Sequence, residues 1–380
     1  MAHPSQTSNK QHAAAPSRTI PVFRPWAPSV DAIAPYLHRI DGSRWYSNFG
    51  PLNTELEERL ASRFGEDVHV VTFSSGTMAL TAALRARAPN GGLCIMPAWT
   101  FVATAHAAIA AGLQPYLIDV DPTCYALTQD GVRAAIKAAP SEVTAIVPVA
   151  PFGDASAAQG WRAFENELGV PVVIDAAAAF DAANNAETPL IVSTHATKAL
   201  GAGEGGFLAT KDKALADEVR ALSSFGFKGA RISQMPAFNA KLSEYHAAVA
   251  LAALDAWPDT RRRYMRSARV LRAAFAKLEG LTFQQGWGEA WINTIAMARV
   301  PSGTADRLQR HLAKHGVDTR HWWNRGLHRE PAFRKCLRAP NLSATNELAN
   351  AMLGLPFSID FEKNDAQFAA LIAAEILRMR

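Results

Sequence analysis

STHATKALGAGEGG, residues 193–206, sets a single lysine, Lys198, five positions after Ser193 and ahead of four glycines, with small residues on both sides. The stretch follows PLIVS (189–193), an apolar β-type run. A lone Lys is ordinarily a solvated surface group. Here, however, no second basic residue and no polar helical face accompanies it, and the charge is delivered at the end of a buried strand. The carboxyl ends of strands in α/β sheets are where ligands sit. Lys198 is therefore read as a functional amine, and the question becomes what sheet carries it.

Working outward, β-type apolar runs recur: VHVVTF (68–73), LCIM (93–96), PYLIDV (115–120), TAIVPV (144–149), VVID (172–175), LIVS (190–193) and GFLAT (206–210). Helical stretches such as LNTELEERLASRF (52–64) and the segment after Ser75 lie before or between them. Strands apolar on both faces and alternating with helices predict an α/β fold: a large, mainly parallel, seven-stranded sheet covered by helices. After residue 254 the pattern changes to a basic helix (259–278), a strand in INTIAMARV, a helix at 304–315, an aromatic-rich loop and a final helix at 361–379. This predicts a large domain over 19–257 and a smaller C-terminal α+β domain over 258–380, divided at Trp257/Pro258.

Composition narrows the classes. The chain has 380 residues, 49% of them hydrophobic, enough for one large core and a smaller one. Its first 18 residues are polar and Ala/Pro-rich without an apolar core, which reads as a disordered leader rather than a signal peptide. No apolar run reaches membrane-spanning length. Cys94, Cys124 and Cys336 are scattered and odd in number, so neither a disulfide framework nor a zinc site is expected, and a reducing cytoplasm fits. A net charge of +5 is too small to argue for nucleic acid, but it suits an anionic small molecule.

Three features fall at predicted strand ends. Ser74-Ser75-Gly76-Thr77 opens a helix, where N–H groups and hydroxyls form a natural phosphate cradle. Asp175 closes VVID and is followed by four alanines, leaving a carboxylate that needs a cation and small neighbours that leave room for a flat ligand. Lys198 completes the set. An amine, an acid able to face a heterocyclic cation and a phosphate cradle are what pyridoxal phosphate requires.

With these residues in view, the sequence resembles the DegT/DnrJ/StrS-type sugar aminotransferases, a branch of the fold-type I pyridoxal-phosphate enzymes. The resemblance runs in order through SRWYSNFGPLNTELEERLASRFG (43–65), FSSGTMAL (73–80), PAWTFVATAHAAIAAGLQPYLIDVDPTCYAL (97–127), VVIDAAAAFDA (172–182), STHATKALGAGEGGFLAT (193–210) and FNAKLSEYHAAVALAALD (238–255). VDTRHWW (317–323) and LGLPF (353–357) fit more loosely. It implies that Lys198 forms the internal Schiff base, that Asp175 pairs with the pyridinium N–H, and that Gly76, Thr77 and Ser193 hold the phosphate. Phe101 would stack on the ring, with Trp99 its rival, and Asn239 would reach the neighbouring subunit's phosphate in a homodimer with shared sites. Lys241, Arg320, Trp322 and His328 are the implied substrate contacts, with Trp323 beside them.

The implied reaction takes an amino group from glutamate, through the pyridoxamine form of the cofactor, to a nucleotide-linked keto-sugar in amino-sugar biosynthesis, lipopolysaccharide included. A 4-keto-6-deoxyhexose is favoured over a 3-keto sugar. Alternatives stay open: another reaction of the same cofactor on a sugar or cyclitol ketone, or a cofactor-binding regulatory homologue without turnover. Three positions depart from the family pattern. Ile174 and Ala178 replace an acidic residue and a Gln or His around the cofactor acid, and Thr194 replaces a Phe. A lysine at 198, where a related dehydratase branch has histidine, favours amino transfer.

Overall fold

The structure is a computed structural model that describes residues 19–377; the leader expected at 1–18 lies outside the described residues, as do the last two positions, 378 and 379, of the final helix expected at 361–379. All seven expected strands form: β1 (His69–Phe73), β2 (Leu93–Pro97), β3 (Gln114–Ile118), β4 (Val143–Ile146), β5 (Ile174–Asp175), β6 (Leu190–Ser193) and β7 (Gly206–Thr210). They are buried along nearly their whole length, as strands covered on both faces must be.

Hydrogen bonding orders them β1-β7-β6-β5 and β4-β2-β3. The two groups join through parallel bridges Ile146↔Val172 and Val149↔Asp175, with Asp175 donating its N–H to Pro148 O at 2.9 Å and Ala150 donating to Asp175 O at 2.9 Å. β7 is antiparallel to both its neighbours, and the remaining pairings are parallel. The hairpin-like return from β6 to β7 runs through the lysine loop itself. Beyond the seven expected strands, Leu337–Arg338 adds in parallel to the outer edge of β3, so the C-terminal part of the chain completes the large sheet.

Helix α1 (Gly76–Arg87) leaves the end of β1, and α2 (Val102–Ala110) leaves the end of β2. Both are rich in alanine, which lets them lie close on the sheet. The long helix α3 (Glu244–Phe275) begins with Ser243 capping the His246 N–H and runs unbroken past Pro258, so the division expected at Trp257/Pro258 falls inside one helix. Its first residue, Glu244, is buried and accepts N–H bonds from Leu52 and Asn53, capping the helix Pro51–Phe64.

The C-terminal part has a three-stranded antiparallel sheet ordered Met352–Leu355, Ala296–Arg299, Thr282–Phe283, covered by helices Ala305–Lys314, Ser343–Ala351 and Lys363–Leu377. One apolar core continues from the large sheet into this part, taking in Ile146 and Ile174 as well as Leu308 and Leu353. No described helix is long and apolar enough to cross a membrane.

Candidate active site

The carboxyl ends of β1, β2, β4, β5 and β6 meet around a cavity of about 320 Å³. At one side is the start of α1. Ser75 caps it by accepting the Met78 N–H at 3.2 Å, while the first N–H groups of a helix have no partner inside it. Gly76 brings this end against β6: a Cβ there would stand 3.1 Å from Ser193 Cβ. Gly206 is tighter still, since its Cβ would lie 2.4 Å from Gly76 N. The two glycines set the helix end directly over the end of β6. Ser193 accepts from the His195 N–H at 3.2 Å, which leaves its own hydroxyl proton to donate elsewhere. Gly76, Thr77 and Ser193 thus face the cavity together.

Opposite them stands Asp175, buried at the end of β5. Thr104 donates its hydroxyl to one carboxylate oxygen at 2.7 Å, and the Ala177 N–H reaches the other at 3.1 Å. Thr100 in turn lies 3.0 Å from the Thr104 hydroxyl. Burial pushes the Asp175 carboxyl above its ordinary range, opposed by the Thr104 and Ala177 hydrogen bonds and by the charge of Lys198. Lys198 lines the same cavity, and burial lowers its ammonium below the usual lysine range, opposed by Asp175. The amine and the acid are therefore coupled across one space, each desolvated and each the other's counter-charge.

The remaining walls divide by polarity. Ala103, Ala150, Ala177, Ala178 and Ala199 make an apolar floor, in line with the alanine expected at 178. Phe101, at the N-terminal end of α2, lines the cavity and is 54% exposed, whereas Trp99 is buried edge-on to Trp323 and does not line it. Phe152 holds a left-handed backbone (φ 52°) and stacks on Trp323, with ring centroids 3.8 Å apart and planes at 20°. Such a conformation is uncommon outside glycine and gathers at functional sites. Trp322 completes this aromatic side.

Other expected residues lie apart. Asn239 and Lys241 flank Ala240, whose carbonyl accepts the Ser74 N–H at 2.7 Å, so they run beside the start of α1. Their side chains are turned to each other, with Lys241 Nζ donating to Asn239 Oδ1 at 2.7 Å over the ring of exposed Phe225. Arg320 does not line the cavity; its guanidinium lies 4.8 Å from the centre of the Trp322 ring. His328 is buried in a separate cleft with Arg329, Arg334 and Arg338, bonded to Asn346 at 3.1 Å. The cavity also holds groups that the sequence reading does not single out: Phe152, His195 and Asn293. Nor does it single out Thr104, which is buried behind Asp175 as its hydrogen-bond partner; it lies one helical turn beyond Phe101 in TFVAT, and that i,i+3 spacing is the signal that sets it on the same side of α2.

The model of the DegT/DnrJ/EryC1/StrS aminotransferase family matches residues 29–371. The chain belongs to this family. It is 24% identical over 369 residues to a dTDP-4-amino-4,6-dideoxy-D-glucose transaminase of Shigella dysenteriae, covering 94% of this chain and 99% of that protein. A putative PLP-dependent aminotransferase from Bacillus cereus superposes with a TM-score of 0.88 at 28% identity, over 94% of this chain and all of that one. DesI, crystallised in the presence of its TDP-sugar product, gives a TM-score of 0.84 at 31% identity, over 96% and 94% of the two chains.

The DegT-family protein is accordingly a pyridoxal-phosphate-dependent aminotransferase with the α/β, fold-type I architecture that the sequence predicts. The cavity suits that cofactor on its own chemistry. It offers a helix start pressed against a serine for a phosphate, a buried acid coupled to a buried lysine, and an exposed aromatic face.

Proposed function

We propose that this chain moves an amino group from glutamate to the keto group of a nucleotide-linked sugar, a 4-keto-6-deoxyhexose, as a cytoplasmic homodimer serving amino-sugar biosynthesis. The observation that carries the reading is the shared desolvation of Lys198 and Asp175 in one cavity beside the start of α1. The names of similar proteins, a dTDP-amino-sugar transaminase and an enzyme crystallised with a TDP-sugar product, support the substrate class.

In this reading Lys198 carries the cofactor covalently, Asp175 faces its ring N–H, and Gly76, Thr77 and Ser193 take its phosphate, with Phe101 on the ring face. Pyridoxal phosphate, when bound, supplies an aldehyde that accepts the amino group and a protonated ring that withdraws electrons from the reacting carbon. Burial that lowers the Lys198 pKa raises the neutral share of its amine at working pH, and a neutral Nζ takes a proton from the donor's carbon and returns it later. Asp175 does the converse. A cation entering opposite its carboxylate reverses the burial penalty and holds it ionised, and the Thr104 and Ala177 hydrogen bonds fix the oxygens in place.

Substrate contact is assigned to Trp322, which lines the cavity, and to Arg320 stacked on it, a flat face and a forked cation suited to a nucleotide diphosphate. The Asn239–Lys241 pair, with Asn239 exposed and Lys241 half-buried, is offered to a second subunit.

The test is a panel of nucleotide keto-sugars presented to protein first converted by glutamate to its amine form. Recovery of the aldehyde absorbance with a 4-keto-6-deoxy substrate is expected. Conversion only by 3-keto sugars or cyclitol ketones would move the substrate class, and no response to glutamate or other amines would favour a regulatory homologue.

A further inference from the structure

Apart from the residues that line the cavity, His311 and His315 occupy the end of helix Ala305–Lys314, and Glu375 lies on the last described helix, Lys363–Leu377, which packs against it. A spacing of four sets the two imidazoles on one face, one turn apart, and their ring centroids are 4.7 Å apart. One ligand atom from each of the three side chains lies within 4.8 Å of the other two. We propose that these residues form a site for a divalent transition-metal ion, of which Zn²⁺ is the natural occupant, and that the ion ties the C-terminal helix to helix Ala305–Lys314.

The hydrogen bonds around the cluster favour ligation. His315 Nδ1 lies 3.0 Å from the His311 carbonyl, which can only accept, so Nδ1 carries the proton and the neutral ring keeps its lone pair on Nε2. That carbonyl belongs to the last turn, where helix carbonyls lack intrahelical partners. A metal-ligating imidazole is ordinarily oriented by such a bond from its other nitrogen. His311 Nε2 stands 2.9 Å from Glu375 Oε2, so this nitrogen and a carboxylate oxygen already face each other. On binding, the ion takes the place of the proton between them: a neutral His311 ring carries its one proton on Nδ1 instead, and a doubly protonated ring releases its Nε2 proton to water.

Two imidazoles and a carboxylate make an N₂O set suited to Zn²⁺, with water in the fourth position. Tetrahedral ligands about 2.1 Å from zinc stand about 3.4 Å apart. The three ligand atoms, now within 4.8 Å of one another, draw towards that spacing while His311 Nε2 and Glu375 Oε2 part from 2.9 Å, an adjustment that the 57% exposed Glu375 side chain can share.

The experiment uses full-length, cofactor-loaded protein, stripped with a chelator that is then removed and titrated with Zn²⁺ by calorimetry and equilibrium dialysis. The expected result is one more Zn²⁺ per chain than in the double variant His311→Gln/His315→Gln, with a rise in melting temperature on Zn²⁺ addition that the double variant lacks. Co²⁺ should give a visible ligand-field band in the wild type alone. Glu375→Gln should weaken Zn²⁺ binding at least about tenfold, the lower range seen even when an outer partner of a metal ligand is removed. Circular dichroism checks that the variants fold, and His315→Gln alone serves if the double variant does not. Equal Zn²⁺ stoichiometry and affinity in wild type and folded variant, or no binding by the wild type below millimolar Zn²⁺, overturns the proposal.

Discussion

At the carboxyl edge of the sheet, Gly76, Thr77, Asp175, Ser193 and Lys198 arrive from three separate strand ends and face one space. Around His328, polar residues that are neighbours in sequence gather just as densely, yet they form a cleft of their own, with Arg329, Arg334, Arg338 and Asn346. The difference is in what positions them. Strand ends are fixed by ladders of backbone hydrogen bonds, so residues closing adjacent strands converge whatever their separation along the chain. Residues 320–338 follow turns and single-turn helices, and adjacent side chains there part company: Trp322 lines the cavity while His328 turns to the other side.

The sharpest way to break this comparison is at its convergent member. Lys198→Ala should lower amino transfer at least about 10³-fold, the range expected on losing a positioned proton carrier, and borohydride should fix cofactor to the wild type but not to the variant. Single-turnover absorbance with glutamate reads the first effect and mass spectrometry the second. A variant retaining activity within tenfold would remove the lysine from the centre of the site.

Asp175→Asn should cost about 10²–10³-fold in the half-reactions, as removal of a preorganised electrostatic partner does. Its effect on the cofactor-free protein runs the other way. Burial raises the Asp175 pKa, so the folded state keeps this proton to higher pH than the unfolded chain. The stability tied to it is full below the ordinary value of 3.8 and is lost as pH rises through the raised one. At pH 7 the cofactor-free Asn variant should therefore melt above the wild type, by roughly 1–2 °C for each kcal/mol relieved in a chain of this size. The gap should close as pH falls towards 4. Melting curves across that window decide it, and a variant that melts lower throughout would make Asp175 a structural acid.

Gly206→Ala addresses the contact between α1 and the start of β7. A methyl 2.4 Å from Gly76 N cannot be accommodated without moving the helix start. Overpacking of this kind costs about 1–3 kcal/mol, and the helix shift should weaken cofactor affinity about tenfold with little change in kcat at saturation. Fluorescence titration with pyridoxal phosphate measures it.

Much of this arrangement was legible because it follows from local rules. Each of the seven large-sheet strands is a short apolar run, and Asp175, Ser193 and Lys198 stand where those runs stop. What escaped notice depended on long-range placement. The reversed direction of β7 is set by the short loop from Ser193 to Gly206, and an apolar run reads alike in either direction. The edge strand Leu337–Arg338 is only two residues long and gains its identity from β3. Helix Val30–Ser43 contains Pro35, ordinarily a helix breaker, and buries only Ile40 fully. Thr104 is one of many threonines until α2 turns it towards Asp175.

The smallest effect is expected at the divergent member of the pair. His328 is buried, and its Nε2 lies 3.1 Å from Asn346 Oδ1 and 3.2 Å from Arg329 Nε, but neither it nor those partners borders the cavity. His328→Ala should lower the melting temperature through the lost packing, by an amount within the usual 0.5–3 kcal/mol of a buried substitution. It should leave cofactor loading, kcat and the KM for the keto-sugar within about twofold, the level of a change of less than 0.5 kcal/mol that sites away from such features show. Trp322→Ala, on the cavity side of the same loop, should instead raise that KM with kcat largely kept. Steady-state kinetics of the two variants side by side separate a residue that touches substrate from one that holds the loop. Should the histidine rather than the tryptophan control KM, the nucleotide would have to extend out of the cavity into the arginine-lined cleft, and the two regions would be one site.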